Sequence, residues 1–471
     1  MRAVVIGAGV VGALIARELC RYDLTVLLFE RELEVGFGVT KANSAIVHAG
    51  FHDEPGTLRA RFCVKGNAFY PKLCEELGVP FRRTGAYVLA LHAQEVPELE
   101  RLLAQGEKNG VPGLEIQRTE EILAREPKVN PKIVAGLWAP TVGVTEPWAL
   151  AQAAVENALL NGLELHLAEK VQTIEVKNGC VKGIKTDVGF YAAEIVVNAA
   201  GLFADQVARM AGLDVPEIRP RRGQYILLEG ETNIHSVLFP CPTPKSKGIL
   251  VVPSVDGNLL LGPTAEDVDD KADTTTTQEG LQQVREGAKR LVPDLDFSRA
   301  IKSFAGLRPE TAAADFWVGP TKIRGFYQAG AMRSPGLTAA PAIARFLVHE
   351  VIATEWHLSP RNWNPRRVPP PRVADLSPEE WDELIRQDPR FGRIVCFCNL
   401  VTEGEVVEAI RRGARTIDGI KLRTRAGFGR CQGGFCTDKL LLILARELGK
   451  GAEDIKLKSE RSPIVIGPVR P

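Results

Sequence analysis

The sequence predicts an α/β chain: a parallel α/β layer interleaved with an antiparallel-sheet subdomain, then a small, mainly helical C-terminal domain. Three observations predict it. Gly7-Ala-Gly9-Val10-Val11-Gly12 lies between a strand-like and a helix-like stretch at the start of the chain. Aliphatic runs and helical stretches alternate up to about residue 350, with hairpin-like runs gathered in the middle. A Pro- and Arg-rich seam at 357–378 then precedes a region of helical pattern.

Taken in order, Ala3–Ile6 and Thr25–Phe29 read as strands flanking a helix from about Val11 to Arg21. Further strands are expected at 86–91, 163–167, 173–177, 194–198, 224–228, 248–253 and 258–262. Helices are expected at 95–108, 147–161, 204–211, 278–292 and 339–352. Together these form one region, residues 1–356. In the seam, prolines 360, 365, 369, 370 and 371 remove backbone donors and fix φ, so 357–378 reads as a solvated, semi-extended linker. Residues 379–450 form the helical domain. There Thr402 and Glu405 make a capping box ahead of Val406–Arg412, and Gly413 stops that helix. Residues 451–471 remain as a tail.

Composition narrows the function. With 59 Lys and Arg against 58 Asp and Glu, the net charge of +1 lacks the basic footprint of a nucleic-acid binder. No run approaches the ~20 apolar residues of a membrane span, so a membrane role is expected only through a partner. A strand beginning at Ala3 leaves no room for a signal peptide, which predicts a cytoplasmic location. Of nine cysteines, Cys20, Cys63, Cys74, Cys180 and Cys241 are scattered and read as small buried hydrophobes. Cys396, Cys398, Cys431 and Cys436 crowd together near the end.

The glycine turn carries the first chemistry. Gly7 allows a tight turn, Gly9 lets backbone approach a pyrophosphate, and Gly12 lets helix and strand pack closely. The helix N-terminus at Val10 and Val11 favours phosphate, and Glu30, at the end of the next strand, suits ribose hydroxyls. This Rossmann-type fingerprint does not separate FAD from NAD. It occurs once, so one dinucleotide is expected, and a lone NAD would leave the cysteine cluster without a purpose.

Further segments are Gly38-Val-Thr40-Lys-Ala-Asn43-Ser44-Ala-Ile-Val-His48-Ala-Gly50, Pro55 to Asn67, Asn198-Ala-Ala200-Gly201-Leu-Phe-Ala-Asp205, Arg222-Gly-Gln-Tyr225, Lys247-Gly248, Gly306-Leu-Arg308-Pro309 and Arg333-Ser334-Pro-Gly336-Leu337-Thr338. Together with the fingerprint, these resemble the D-amino-acid oxidase flavoprotein family, and within it the glycerol-3-phosphate dehydrogenases and oxidases. L-2-hydroxyglutarate dehydrogenases are close relatives. The resemblance covers about residues 1–350. It implies FAD, with its pyrophosphate on Gly7–Gly12 and its ribose at Glu30. Thr40, Asn43 and Ser44 would follow the cofactor toward the flavin, and Ala200, Gly201, Gly336, Leu337 and Thr338 would approach the ring. Arg31 and Val171 would be further cofactor contacts.

The resemblance also gives His48 the role of base for an alcohol proton, against the plainer alternative of a histidine packed beside the flavin. Arg308 would grip a small anionic substrate such as glycerol 3-phosphate, with Arg222 and Arg333 as substitutes. Lys247 would add a point charge and Ser334 a hydrogen bond.

Cys396-Phe-Cys398 and Cys431-Gln-Gly-Gly-Phe-Cys436 form a four-thiolate set; zinc would accept it, though C-x-C is an unusual zinc spacing. The spacing, with Arg423 to Gly433, resembles the BFD-like ferredoxin-binding-type domain that holds a [2Fe–2S] cluster. Arg411, Arg412, Arg415, Lys421, Arg423, Arg425 and Arg430 are expected to surround that anionic cluster and raise its potential.

The function expected is oxidation of glycerol 3-phosphate to dihydroxyacetone phosphate at FAD, with electrons leaving through the cluster to an accepting partner subunit. Alternatives are a 2-hydroxy-acid dehydrogenase, an amine or imino-acid dehydrogenase, or an electron-transfer subunit with a vestigial substrate site.

Overall fold

A computed structural model describes residues 1–230, 233–242, 247–312 and 315–467, in two units. The first comprises Met1–Phe29, Gly36–His166 and Lys170–Arg367. The second comprises Glu30–Val35, Leu167–Glu169 and Val368–Pro471.

In the first unit, six strands run in the order Trp317–Pro320, Phe326–Gly330, Ile195–Asn198, Arg2–Ile6, Thr25–Phe29, Leu163–His166. All pair in parallel except the edge pair Trp317–Pro320 and Phe326–Gly330. Arg2–Ile6 is buried along nearly its whole length, as a strand covered on both faces must be. The helix Val10–Leu19 is buried at every position, and its small residues allow close packing.

The second large sheet has nine strands. Arg219–Leu228 and Ala300–Glu310 pair along nearly their whole length, and the sheet continues through Leu259–Gly262, Leu250–Pro253, Val237–Pro240, Ala86–Ala90 and Ala135–Ala139 to Glu115–Arg118. Its pairing is antiparallel apart from Val237–Pro240 against Ala86–Ala90. Alternate residues serve two cores: Val88, Phe239 and Val252 face one, and Tyr87, Leu238 and Val251 the other. The long strand Ala300–Glu310 carries Arg308 to the site described below.

The periodicity missed the 20-residue helix Leu58–Leu77, which contains Gly66 and Pro71. Both weaken a helical pattern, yet Gly66 is where this helix meets Gly336–Arg345: a Cβ there would lie 2.0 Å from the Thr338 carbonyl oxygen. The expected helix 339–352 is two pieces, α-helical at Gly336–Arg345 and π-helical at Phe346–Ile352. The expectation of no long apolar run needs correction. Among the described residues Gly336–Glu355 is long and apolar enough to span a bilayer, with mean hydropathy 1.3 over its most apolar window. It is two-thirds buried, packed on Val10–Leu19 and Leu58–Leu77, so a core helix accounts for its composition.

The seam is not a solvated linker throughout. The Arg361 guanidinium donates to the carbonyls of Cys20 and Asn161, Arg367 pairs with Glu156 at 2.6 Å, and Arg17 donates to the Pro365 carbonyl. Arg17 and Arg21 lie over the Trp363 ring. Residues 357–367 are therefore a strap on the first unit, because their arginines find buried acceptors there. Of the scattered cysteines, Cys20, Cys63 and Cys74 are buried and Cys180 and Cys241 half-buried, all as free thiols.

The second unit holds the helices Pro378–Gln387, Glu403–Arg411, Ile417–Thr424 and Thr437–Leu448 over a core that includes Val406, Ile410, Ile420, Leu440 and Leu444. The Thr402–Glu405 capping box forms, and Gly413 follows the helix at φ +105°. The tail joins this core through Ile455, Ile464 and Val465, and its last four residues lie outside the described ones. The Glu34 carboxylate, fully buried, accepts from the backbone N–H groups of Arg415 and Thr416, from Thr416 Oγ1, and from Arg423 at 2.9 Å.

Candidate active site and thiolate cradle

The glycine turn has the shape a dinucleotide phosphate requires. Gly7 adopts φ +103°, and a Cβ at Gly12 would lie 1.9 Å from the Gly7 carbonyl oxygen. Neither position admits a side chain. The Val10–Leu19 helix receives no cap from its own N-cap residue, Gly9, and has no acid in its first turn, so its dipole favours an anion. Thr40 is brought to this turn, its Oγ1 accepting the Val10 N–H at 3.0 Å. Asn43 instead holds its own loop: its amide donates to the Thr40 carbonyl and accepts from Ala45 N. Ser44 is half-buried beside it.

Glu30 directly follows the Thr25–Phe29 strand, and its carboxylate accepts the Glu32 N–H. Arg31 is exposed and pairs with Glu32, while Val171 is buried at the start of its strand. Ala200 N donates to Asn198 Oδ1, and Gly201 follows at φ +55°. Gly336, Leu337 and Thr338 open a second uncapped helix. Thr338 does more than the sequence suggested, since its Oγ1 accepts the His48 backbone N–H at 2.9 Å.

His48 is buried, and its carbonyl accepts from Asn67 at 2.9 Å. Its Nδ1 is buried with no partner among the described residues. Burial, then the positive charges of Lys247 and Arg59, hold this imidazole well below its ordinary pKa, so it is neutral. The Lys247 Nζ is likewise buried without a partner, and burial lowers its pKa, against the pull of Asp53. Arg59 ties the group together, donating to Asp53 at 2.7 Å and to the Ser334 carbonyl at 3.0 Å.

Arg308, on the strand opposite Arg221, gives one Nη to the Thr264 carbonyl, while its Nε is buried and unpartnered. The two substitutes are committed elsewhere: Arg222 to Glu266 and Asp273, and Arg333 to Glu310 at 2.7 Å. Among the three, Arg308 is the one without an ion pair to a carboxylate. Sequence reasoning missed Asp53 and Arg59, though both lie in or beside the segments that carry the resemblance. It also missed His52, four residues after His48.

The four clustered thiols stand as two pairs. Cys396 and Cys436 are buried, and the Cys436 S–H is directed at the Cys396 sulfur. Cys398 and Cys431 are 3.7 Å apart on the exposed side. Cys396 is pushed down to about 5 by that S–H and by N–H groups of Gly427, Asn399 and Cys398. The N–H groups of Phe435 and Gly433 lower Cys431. Among the described residues no three His, Cys, Asp or Glu side chains converge as ligands of one metal ion. Two thiol pairs inside a shell of N–H donors fit a dinuclear, anionic [2Fe–2S] group better than a single ion.

Three of the basic residues expected around the cluster are engaged by groups of the protein. Arg412 is held by Glu408, Arg415 donates to the carbonyls of Ile410 and Ala414, and Arg423 is bound to Glu34.

Comparison with known proteins supports an FAD domain and a [2Fe–2S] domain. Residues 2–350 match the family model described as DAO, FAD dependent oxidoreductase, and residues 394–446 match the BFD-like [2Fe-2S] binding domain. The chain is 44% identical over 472 residues to a glycerol 3-phosphate dehydrogenase of Caloramator mitchellensis, covering 99% of this chain and 98% of that one. It is 33% identical to a glycerol 3-phosphate oxidase of Mycoplasma pneumoniae, over 76% of this chain and 96% of the other. The structure of dithionite-reduced L-alpha-glycerophosphate oxidase from Mycoplasma pneumoniae with FAD bound superposes with a TM-score of 0.74 at 32% identity, covering 78% and 98% of the two chains. The chain belongs to the DAO family of FAD dependent oxidoreductases and carries a BFD-like [2Fe–2S] binding domain at its C-terminal end.

Proposed function

We propose that this chain oxidises sn-glycerol 3-phosphate to dihydroxyacetone phosphate and passes the electrons to a partner protein. The observation that carries the reading is the neutral, buried His48 beside the unpartnered Lys247 ammonium, in a chain similar end to end to a glycerol 3-phosphate dehydrogenase. FAD supplies a hydride acceptor when bound, and the [2Fe–2S] cluster a one-electron carrier.

The chain's own residues do the rest. His48 takes the proton of the secondary hydroxyl, its ring set in place by Thr338 on the backbone N–H and Asn67 on the carbonyl. Arg308, without an ion pair among the described residues, offers its remaining N–H groups to the phosphate, and Lys247 adds a positive charge. An arriving dianion favours the charged form of Lys247, offsetting the desolvation that lowers its pKa. Gly7, Gly9 and Gly12 leave room for the FAD pyrophosphate on the helix N-terminus, and Cys396, Cys398, Cys431 and Cys436 hold the cluster.

The partner meets the exposed edge at Cys398, flanked by the exposed rings of Phe397 and Phe435. On this reading the chain works in the cytoplasm and reaches the inner membrane only through that partner.

Anaerobic mixing with glycerol 3-phosphate, L-2-hydroxyglutarate or proline, followed by flavin absorbance, tests the reading. Bleaching by glycerol 3-phosphate is expected. Bleaching by one of the others alone overturns the substrate assignment.

A further inference from the structure

We infer that His52 relays the substrate proton from His48 to solvent. The inference rests on the alcohol oxidation proposed above and adds to it the route by which the proton leaves.

The His52 ring lies against Phe51 and Phe239, with centroids 4.3 and 5.2 Å away. Its Nε2 is buried there with no hydrogen-bond partner among the described residues. A polar nitrogen left unpaired in such surroundings costs about 1–3 kcal/mol, so packing alone is a poor reason to keep a histidine there. The His48 ring stands 6.5 Å away, centroid to centroid, nearly perpendicular, with its own Nδ1 unpartnered. One water or one substrate hydroxyl spans that gap. His48 is buried at 8% exposure, whereas His52 is half-buried.

The charges facing the two rings disfavour a lasting imidazolium at either one. Lys247 and Arg59 bear on His48; Lys247, His48 and Arg101 bear on His52. The nearby carboxylate, Asp53, is bound to Arg59. An imidazolium at His48 is therefore poorly compensated and must lose its proton for the next turnover. His52 is a neutral acceptor on the side of Arg101, a residue exposed on the helix Val96–Lys108. The balance is one proton and one hydride. The substrate O–H bond breaks with its proton going to His48, that proton passes to His52 Nε2 while the other nitrogen of the His52 ring releases a proton to bulk water, and the C–H hydride reduces the flavin.

The test is steady-state oxidation of glycerol 3-phosphate by the FAD- and cluster-loaded full chain with a one-electron dye as acceptor, comparing wild type with His52→Gln and His52→Phe. The limiting rate is expected to fall at least about tenfold, less than the ~10²–10⁴-fold of a base that meets substrate directly. The substrate concentration for half-maximal rate stays near wild type, the solvent deuterium isotope effect grows, and added imidazole restores the rate of His52→Phe. An unchanged limiting rate overturns the relay, as does a loss confined to substrate affinity or one that imidazole fails to rescue. Should His52→Phe fail to retain flavin, His52→Gln carries the measurement through its isotope effect, and an effect no larger than wild type overturns the relay. Bleaching of wild type by L-2-hydroxyglutarate and not by glycerol 3-phosphate overturns the substrate reading, and the relay is then measured on that hydroxy acid. Bleaching by neither overturns both.

Discussion

At the scale of single residues, the candidate site is marked by groups left without partners among the described residues. His48 Nδ1, Lys247 Nζ and Arg308 Nε are all buried and unsatisfied, an arrangement that costs stability unless a ligand repays it. His48→Asn is expected to slow flavin reduction by about 10²–10⁴-fold, read by stopped-flow bleaching at saturating substrate. Arg308→Lys is expected to weaken substrate binding more than it slows reduction, because a point charge replaces a planar fork.

The lowered pKa of His48 and His52 also sets a pH dependence of stability. Their folded-state values lie below the unfolded ones, so the unfolded chain binds more protons as pH falls through about 6.5, and stability is lost in that direction. Melting temperature is expected to drop between about pH 7.5 and 5.5, and to drop less in His52→Gln. An equal drop in both would remove His52 as a contributor.

At the scale of elements, the site depends on how closely two helices approach. Gly66, on Leu58–Leu77, has no room for a Cβ against the Thr338 carbonyl, and Thr338 in turn holds His48. Gly66→Ala is expected to cost about 1–3 kcal/mol through overpacking, seen as a lower melting temperature, and to slow flavin reduction by shifting the seat of His48. The helix signal was weak here because Gly66 and Pro71 interrupt it, although each is tolerated once the neighbouring helix supplies packing. The strap at 357–367 shows the reverse case. Its prolines correctly excluded regular structure, but its arginines found buried acceptors that no local pattern announces.

For the whole molecule, the two units are expected to separate in their chemistry. Cys398→Ser is expected to lose the visible absorbance of the cluster and the delivery of electrons to one-electron acceptors. Substrate should still bleach the flavin, so spectra recorded before and after substrate distinguish the two losses. Within the second unit, Glu34→Gln leaves the Arg423 guanidinium without its buried carboxylate. A destabilisation of about 3–5 kcal/mol is expected, measured by chemical denaturation followed through the cluster absorbance.

The sequence by itself determined the fold class, the dinucleotide turn and the four thiols, because each depends on residues close together in the chain. A glycine that admits no Cβ, a capping box, or a C-x-C pair writes its requirement locally. Tertiary structure alone decided which of the three arginines has no ion pair among the described residues, since Arg222 and Arg333 meet carboxylates brought by other strands and loops. It alone also placed Thr338 on His48, Arg59 on the Ser334 carbonyl, and the His52 ring against Phe239. Those facts depend on contacts between segments tens to hundreds of residues apart, and on which buried polar atoms end up with no partner.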